Sequence, residues 1–168
     1  MQYKIICSKN LPTSEGLINE ISKVTYDELT LSARSAEEVR FSYEKGWHYL
    51  CFDSKNGELI GWIEIFQLSK DWWGLFSLHV YPKYRNQKLG LELLGKALEA
   101  TKNFKVYGAT SNSSLKELLI KYGCSKVKFV GLPINLIWGL ITKRYGGINR
   151  FIAARSLTNT DFEFFIRD

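Results

Sequence analysis

Leu78-His79-Val80-Tyr81-Pro82-Lys83-Tyr84-Arg85-Asn86-Gln87-Lys88-Leu89-Gly90-Leu91 decides the reading of this chain. An apolar run ends at Pro82, which cannot donate to a sheet ladder. A basic turn follows, and a Leu-rich helix begins near Gly90. Leu91, Leu94 and Leu98 recur at helical spacing, with Leu93 and Ala97 beside them. The leading N–H groups of such a helix have no partner within it and form an anion site, worth ~0.3–1 kcal/mol per exposed charge. Arg85 and Lys88 add mobile positive charge, so a diphosphate fits this place.

Outward from this stretch the elements alternate. Residues 3–7 read as a first strand. Pro12-Thr13-Ser14-Glu15 opens a helix whose stripe is Leu17, Ile18, Ile21 and Val24, and Ser35-Ala36-Glu37-Glu38 is a capping box opening a second, stopped at Gly46. Trp47–Phe52 and Leu59–Leu68 form a hairpin around Asn56-Gly57, and Trp73–Tyr81 is the next strand. Phe104–Thr110 is a strand, Asn112–Tyr122 an amphipathic helix, and Ser125–Val130 and Arg150–Ala154 close the series. Gly131–Gly147 reads as an irregular apolar segment, a substrate-side loop or a dimer contact.

The order β-α-α-β-β-β-α-β-α-β-β predicts an α/β (α+β) fold, a mixed, largely antiparallel sheet of six to seven strands with helices on both faces. One domain is expected over residues 1–156. A tail over 157–168 contains Phe162-Glu163-Phe164-Phe165, apolar enough to need a partner as an extra strand or contact segment.

Composition narrows the function. The chain has 168 residues, 45% hydrophobic, with 23 Lys/Arg against 17 Asp/Glu, for a net charge of +6. Disordered, collagenous and coiled-coil classes are excluded. Cys7, Cys51 and Cys124 are an odd, scattered set, and two histidines complete no zinc spacing, so neither a disulfide scaffold nor a metal is expected. Reduced thiols suit the cytoplasm. Leu132–Ile141 is too short to span a bilayer, which takes ~20 residues, and no membrane partner is expected. Residues 81–128 hold ten Lys/Arg and three acids, a local net of +7, which leaves −1 for the remainder. That asymmetry suits one anionic ligand. A solvated Lys-rich surface is the plain alternative, and nucleic acid is not favoured, since no Arg-rich helix appears.

A second motif runs Asn112-Ser113-Ser114-Leu115-Lys116-Glu117-Leu118-Leu119-Ile120-Lys121-Tyr122-Gly123-Cys124. Together the two resemble motifs A and B of the GNAT N-acetyltransferase superfamily. The first, here Leu-x-Val-x-Pro-x-x-Arg-x-x-x-Leu-Gly, is similar to motif A, and the second to the family's Asn-led helix ending in Leu-Gly-Phe. The resemblance implies that acetyl-CoA is the co-substrate. Its pyrophosphate would lie on an Arg/Gln-x-x-Gly-x-Gly/Ala loop, here Arg85, Asn86, Gln87, Lys88, Leu89, Gly90 and Leu91. Its pantetheine arm would pair with the backbone of Leu78, His79 and Val80 and touch Asn112. Two departures stand out. Lys88 replaces a glycine that allows close backbone approach, and Leu119 stands where many members carry a tyrosine that protonates the leaving thiolate. Tyr122, one turn on, is the candidate substitute.

The resemblance further implies N-acyl transfer by direct attack of a primary amine on the thioester in a ternary complex. Glu64, a carboxylate in an apolar strand, is a candidate base acting through water, or else an exposed edge residue. His79 is either a second candidate base or a half-buried structural histidine, with Leu78 and Val80 in the core on the opposite face. Trp72-Trp73 walls a substrate pocket or covers the end of a core. Two alternatives stay open: a non-catalytic CoA-binding module, and an acyltransferase acting on charged tRNA. The acceptor amine is unidentified, and the chain is a monomer or homodimer.

Overall fold

The computed structural model of the chain describes residues 2–28, 33–157 and 162–168. Met1 and residues 158–161 of the tail lie outside the described residues. Two compact units emerge, residues 1–65 with 76–100 and residues 66–75 with 101–168.

The first unit begins with strand β1 (Tyr3–Cys7) and helices α1 (Glu15–Asp27) and α2 (Ala36–Glu44). Both helices start where capping chemistry demands. Ser14 Oγ accepts from the Leu17 N–H at 3.4 Å. Ser35 and Glu38 form the full reciprocal box. Strands β2 (His48–Asp53) and β3 (Leu59–Gln67) flank a turn in which Gly57 takes φ 73°. β1 pairs antiparallel with β2, and β2 with β3, with a register shift at Cys51/Phe52.

Ile18, Ile21, Val39 and Tyr43 of the helices pack on Leu50, Phe52, Leu59 and Trp62 of the strands. Helix α3 (Leu89–Ala100) packs against β2. Since strand side chains alternate, Cys51 faces the opposite side from Leu50 and Phe52, and helices cover both faces here. α3 buries Leu89, Leu93, Leu94, Ala97 and Leu98.

Strand β4 (Trp72–Val80) joins the two units in sequence. It runs antiparallel to β3, as the bonds from Leu68 N–H to Trp72 O and from Tyr81 N–H to Ile60 O require. Trp72–Leu75 pairs parallel with Lys105–Gly108 of β5 (Lys105–Thr110). Two positions on, Ser77 adopts φ 49°, a left-handed kink rare for a residue with a Cβ. Alternation is lost there. His79 is buried, whereas Leu78 and Val80 are half-exposed, the reverse of the sequence expectation.

In the second unit helix α4 (Ser113–Lys121) lies on β5 and β6 (Ser125–Val127). β7 (Glu163–Arg167), from the tail, pairs antiparallel with both β5 and β6. Hydrogen-bonded strands follow the order β1-β2-β3-β4-β5-β7-β6, a mixed seven-stranded sheet.

Two sequence readings are corrected. Arg150–Ala154 is not a strand but lies inside helix α6 (Ile148–Leu157). A five-residue apolar run carries too little periodicity to separate helix from strand, and here Ala-Ala-Arg favours helix. Phe151 anchors it against Phe129 and Tyr145. Gly131–Gly147 is not irregular. It contains helix α5 (Ile134–Gly139), extended by a π-helical turn over Leu140–Arg144.

Candidate functional site

The loop after β4 is built residue by residue. Pro82–Tyr84 makes one 3-10 turn, and Arg85 is extended. Asn86 (φ 61°) and Lys88 (φ 64°) are left-handed. Asn tolerates that region, while a lysine there is strained by ~1–2 kcal/mol. Lys88 thus keeps a backbone shape that a glycine would adopt without steric strain. Positive-φ residues on either side of Gln87, whose φ is not positive, bend the chain in the manner of an anion-binding backbone concavity. The first bond of α3 runs from Glu92 N–H to Lys88 O, so the N–H groups of Leu89, Gly90 and Leu91 precede the helical ladder.

Gly90 is not required by the protein's own packing. A Cβ built on it would meet only Val80 Cγ2, at 3.9 Å. Gly61 is the opposite case, since a Cβ there would stand 2.7 Å from the His79 carbonyl oxygen. Its bareness lets β3 approach the kinked end of β4.

Arg85 is half-exposed. Its Nε donates to Val80 O at 2.9 Å, and its terminal nitrogen lies 3.5 Å from Glu28 Oε1. The same Glu28 oxygen stands 3.7 Å from His79 Nδ1. The His79 ring stacks on Trp62 at 4.6 Å and meets the edge of Tyr81 at 4.9 Å. Its Nε2 is buried with no hydrogen-bond partner among the described residues, as is Trp62 Nε1. Burial pushes the His79 pKa below the ordinary histidine value; Glu28 opposes that shift and Arg85 adds to it. Burial thus favours the neutral form of the imidazole.

Glu64 is not at an exposed edge. β3 lies between β2 and β4, and Glu64 is 1% exposed, opposite His48 in register. Arg34, also buried, brings a guanidinium nitrogen to 3.4 Å from Glu64 Oε1 and donates to Glu38 O at 2.9 Å. The structure thus places Arg85, Glu28, His79 and Trp62 in one connected set, and Glu64 with Arg34 in a second.

Asn112 and Tyr122 belong to the second unit. Asn112 Oδ1 caps α4 by accepting from Leu115 N–H at 3.0 Å. Leu119 is buried over Gly108, while Tyr122 ends the helix with its ring partly exposed. Trp72 is buried, and Trp73 packs on Phe104 at 5.7 Å. No group of three potential metal ligands occurs among the described residues.

Glu28 and Arg34 escaped the sequence reading. Neither belongs to a motif. Glu64 signals that a buried cation must exist, but nothing local says which arginine supplies it.

Comparison with known proteins fits this geometry. A profile of the acetyltransferase (GNAT) family matches residues 17–123, more than half of the chain. No curated protein matches. Solved structures share the fold at low identity. A Mycobacterium tuberculosis protein in complex with CoA is 9% identical with a TM-score of 0.74, each chain covered to 97%. A GNAT-family acetyltransferase from Staphylococcus aureus is 17% identical with a TM-score of 0.63, covering 99% of this chain and 98% of that one. N-acetylglutamate synthase from Neisseria gonorrhoeae, complexed with coenzyme A and N-acetyl-glutamate, is 14% identical with a TM-score of 0.69 over 99% of this chain. This chain spans only 35% of that synthase. The family match takes in the kinked strand, the left-handed loop and α3 together, and the chain belongs to the GNAT family of acetyltransferases.

Proposed function

We propose that this protein transfers an acetyl group from acetyl-CoA to a primary amine, by direct attack in a ternary complex. The observation that carries the reading is the loop Arg85–Leu91. Lys88 holds a left-handed turn that would suit glycine, and Gly90 leaves space that the protein itself does not use. A diphosphate fills such a place, held by the amides of Gln87–Leu91 and the Arg85 guanidinium. The residues therefore fit CoA, and the backbone of Leu78–Val80 is assigned to its pantetheine arm.

The chemistry asks little more than placement. The amine lone pair adds to the thioester carbonyl, the C–S bond breaks, the thiolate leaves and the amine nitrogen loses a proton. Holding amine and thioester together can supply much of the barrier reduction, and a main-chain N–H near Val80 steadies the developing oxyanion. His79 Nε2 is the preferred proton acceptor, because burial favours the neutral ring and Nε2 has no hydrogen-bond partner among the described residues. Glu64, engaged by Arg34, is assigned to holding charge in place.

Isothermal titration with acetyl-CoA tests the reading directly. Arg85→Glu is expected to weaken binding at least tenfold, roughly the loss of a charge-assisted contact. Unchanged affinity removes the phosphate assignment. Thiol release over a panel of amines tests turnover. Tight CoA binding without turnover on any amine would favour a non-catalytic module.

A further inference from the structure

Helix α5 and its π-helical extension are apolar on two opposite sides. On the inner side Leu132, Leu136 and Leu140 are buried. Gly139 fits so closely that a Cβ would collide with the Leu68 carbonyl. That fit pins the helix and fixes which side faces out. On the outer side Ile134 and Trp138, four residues apart and hence on one face, are 85% and 66% exposed. Val130, four residues earlier in the preceding 3-10 turn, is 88% exposed.

One exposed apolar side chain is ordinary. Two large apolar side chains one turn apart on a helix already buried on its inner side, with a third exposed on the preceding turn, mark an interaction surface. The segment of chain that carries this face has charge of one sign. Residues 118–160 contain seven Lys/Arg (121, 126, 128, 143, 144, 150 and 155) and no Asp or Glu. Lys126 is engaged by Glu163 at 3.0 Å. Lys128 and Lys143 are exposed and form no ion pair among the described residues.

We propose that this face docks on an anionic lipid surface, with Ile134 and Trp138 entering the headgroup layer and Lys128 and Lys143 meeting its negative charge. Tryptophan suits that boundary because one end of its ring is apolar and its N–H stays wet. Basic residues beside such a face gain from anionic lipid. A second copy of the chain is disfavoured, since it would set the exposed Lys128 and Lys143 of one copy against those of the other. Nucleic acid would use the lysines but leave Val130 and Ile134 in water. The contact is peripheral, as no helix among the described residues is long and apolar enough to cross a membrane.

The test is co-sedimentation of the whole protein with vesicles at low salt, comparing pure phosphatidylcholine with phosphatidylcholine containing about 30% phosphatidylserine. The expected result is binding to the anionic vesicles at least about fivefold tighter than to the neutral ones. Ile134→Asp and Trp138→Asp should each lose about tenfold or more. Lys128→Glu and Lys143→Glu should lose about fivefold each on anionic vesicles only. Circular dichroism and acetyl-CoA affinity check that these surface variants stay folded. No co-sedimentation, or variants that bind like the parent, overturns the proposal. So does a dimer in analytical ultracentrifugation that Ile134→Asp dissociates, or binding to single-stranded RNA by a protein that ignores vesicles.

Discussion

Oε1 of Glu28 lies 3.7 Å from Nδ1 of His79, and the same oxygen lies 3.5 Å from the guanidinium of Arg85. One carboxylate thus faces both the cation assigned to the diphosphate and the imidazole assigned to the amine. Glu28 raises the His79 pKa and Arg85 lowers it, against a larger depression from burial. Glu28→Gln should therefore lower the His79 pKa further, and Arg85→Gln should raise it. Proton NMR titration of the His79 ring reads both shifts. If His79 is the base, the acidic limb of the kcat/KM profile moves in the same directions. Equal His79 pKa values in the parent and both variants would show that Glu28 is not coupled to the ring.

The depressed pKa also sets a pH dependence of stability. Unfolded histidine titrates near pH ~6.5, and native His79 gives up its proton more readily than that. Between the two values the unfolded chain binds more protons, so stability rises with pH there and falls on acidification. Its contribution is complete above pH ~6.5 and is lost as pH drops toward the native pKa. Urea midpoints measured from pH 7.5 to 5 should fall, and His79→Gln should flatten part of that fall. A parent and variant with parallel pH profiles would show that His79 contributes nothing to the slope.

Lys88 gives a prediction that separates backbone from charge. Lys88→Gly relieves left-handed strain of ~1–2 kcal/mol but adds the ~0.5–1 kcal/mol entropic cost of glycine, for a net gain of about 0–1.5 kcal/mol. Urea denaturation should show it. Acetyl-CoA affinity is expected to stay within about threefold, because main-chain amides do the holding. A loss above tenfold would assign the binding to the lysine ammonium instead.

Much of the local structure is legible in the sequence. Ser35 and Glu38 announced their helix, and Asn56-Gly57 its hairpin, because both signals act over three or four residues. The passage from Pro82 through a turn into the helix near Gly90 is legible for the same reason. Long-range facts were not legible. Glu64 looks like a possible edge carboxylate until β4 pairs beside β3. Leu78 and Val80 look buried until Ser77 kinks the strand and turns His79 inward instead. Phe164 and Phe165 in the tail demanded a partner, and only the fold shows that β7 pairs between β5 and β6. Arg150–Ala154 misled because so short a run fits either period.

Gly90 supplies the sharpest contrast between stability and binding. Its Cβ position is open, with the nearest side-chain atom at 3.9 Å, and its φ is not left-handed. Gly90→Ala should therefore stabilise the fold by about 0.4–1 kcal/mol through the unfolded state. Gly90→Val places two further methyl groups beside the amides of Leu89 and Leu91. It should cost acetyl-CoA affinity about tenfold or more while leaving the denaturation midpoint near that of the parent, since the obstruction concerns the diphosphate rather than the core. Titration calorimetry and urea unfolding on the same samples give the two readings. If valine destabilised the fold as much as it weakened binding, the space at Gly90 would belong to the protein's packing, and the loop would lose its claim to a ligand.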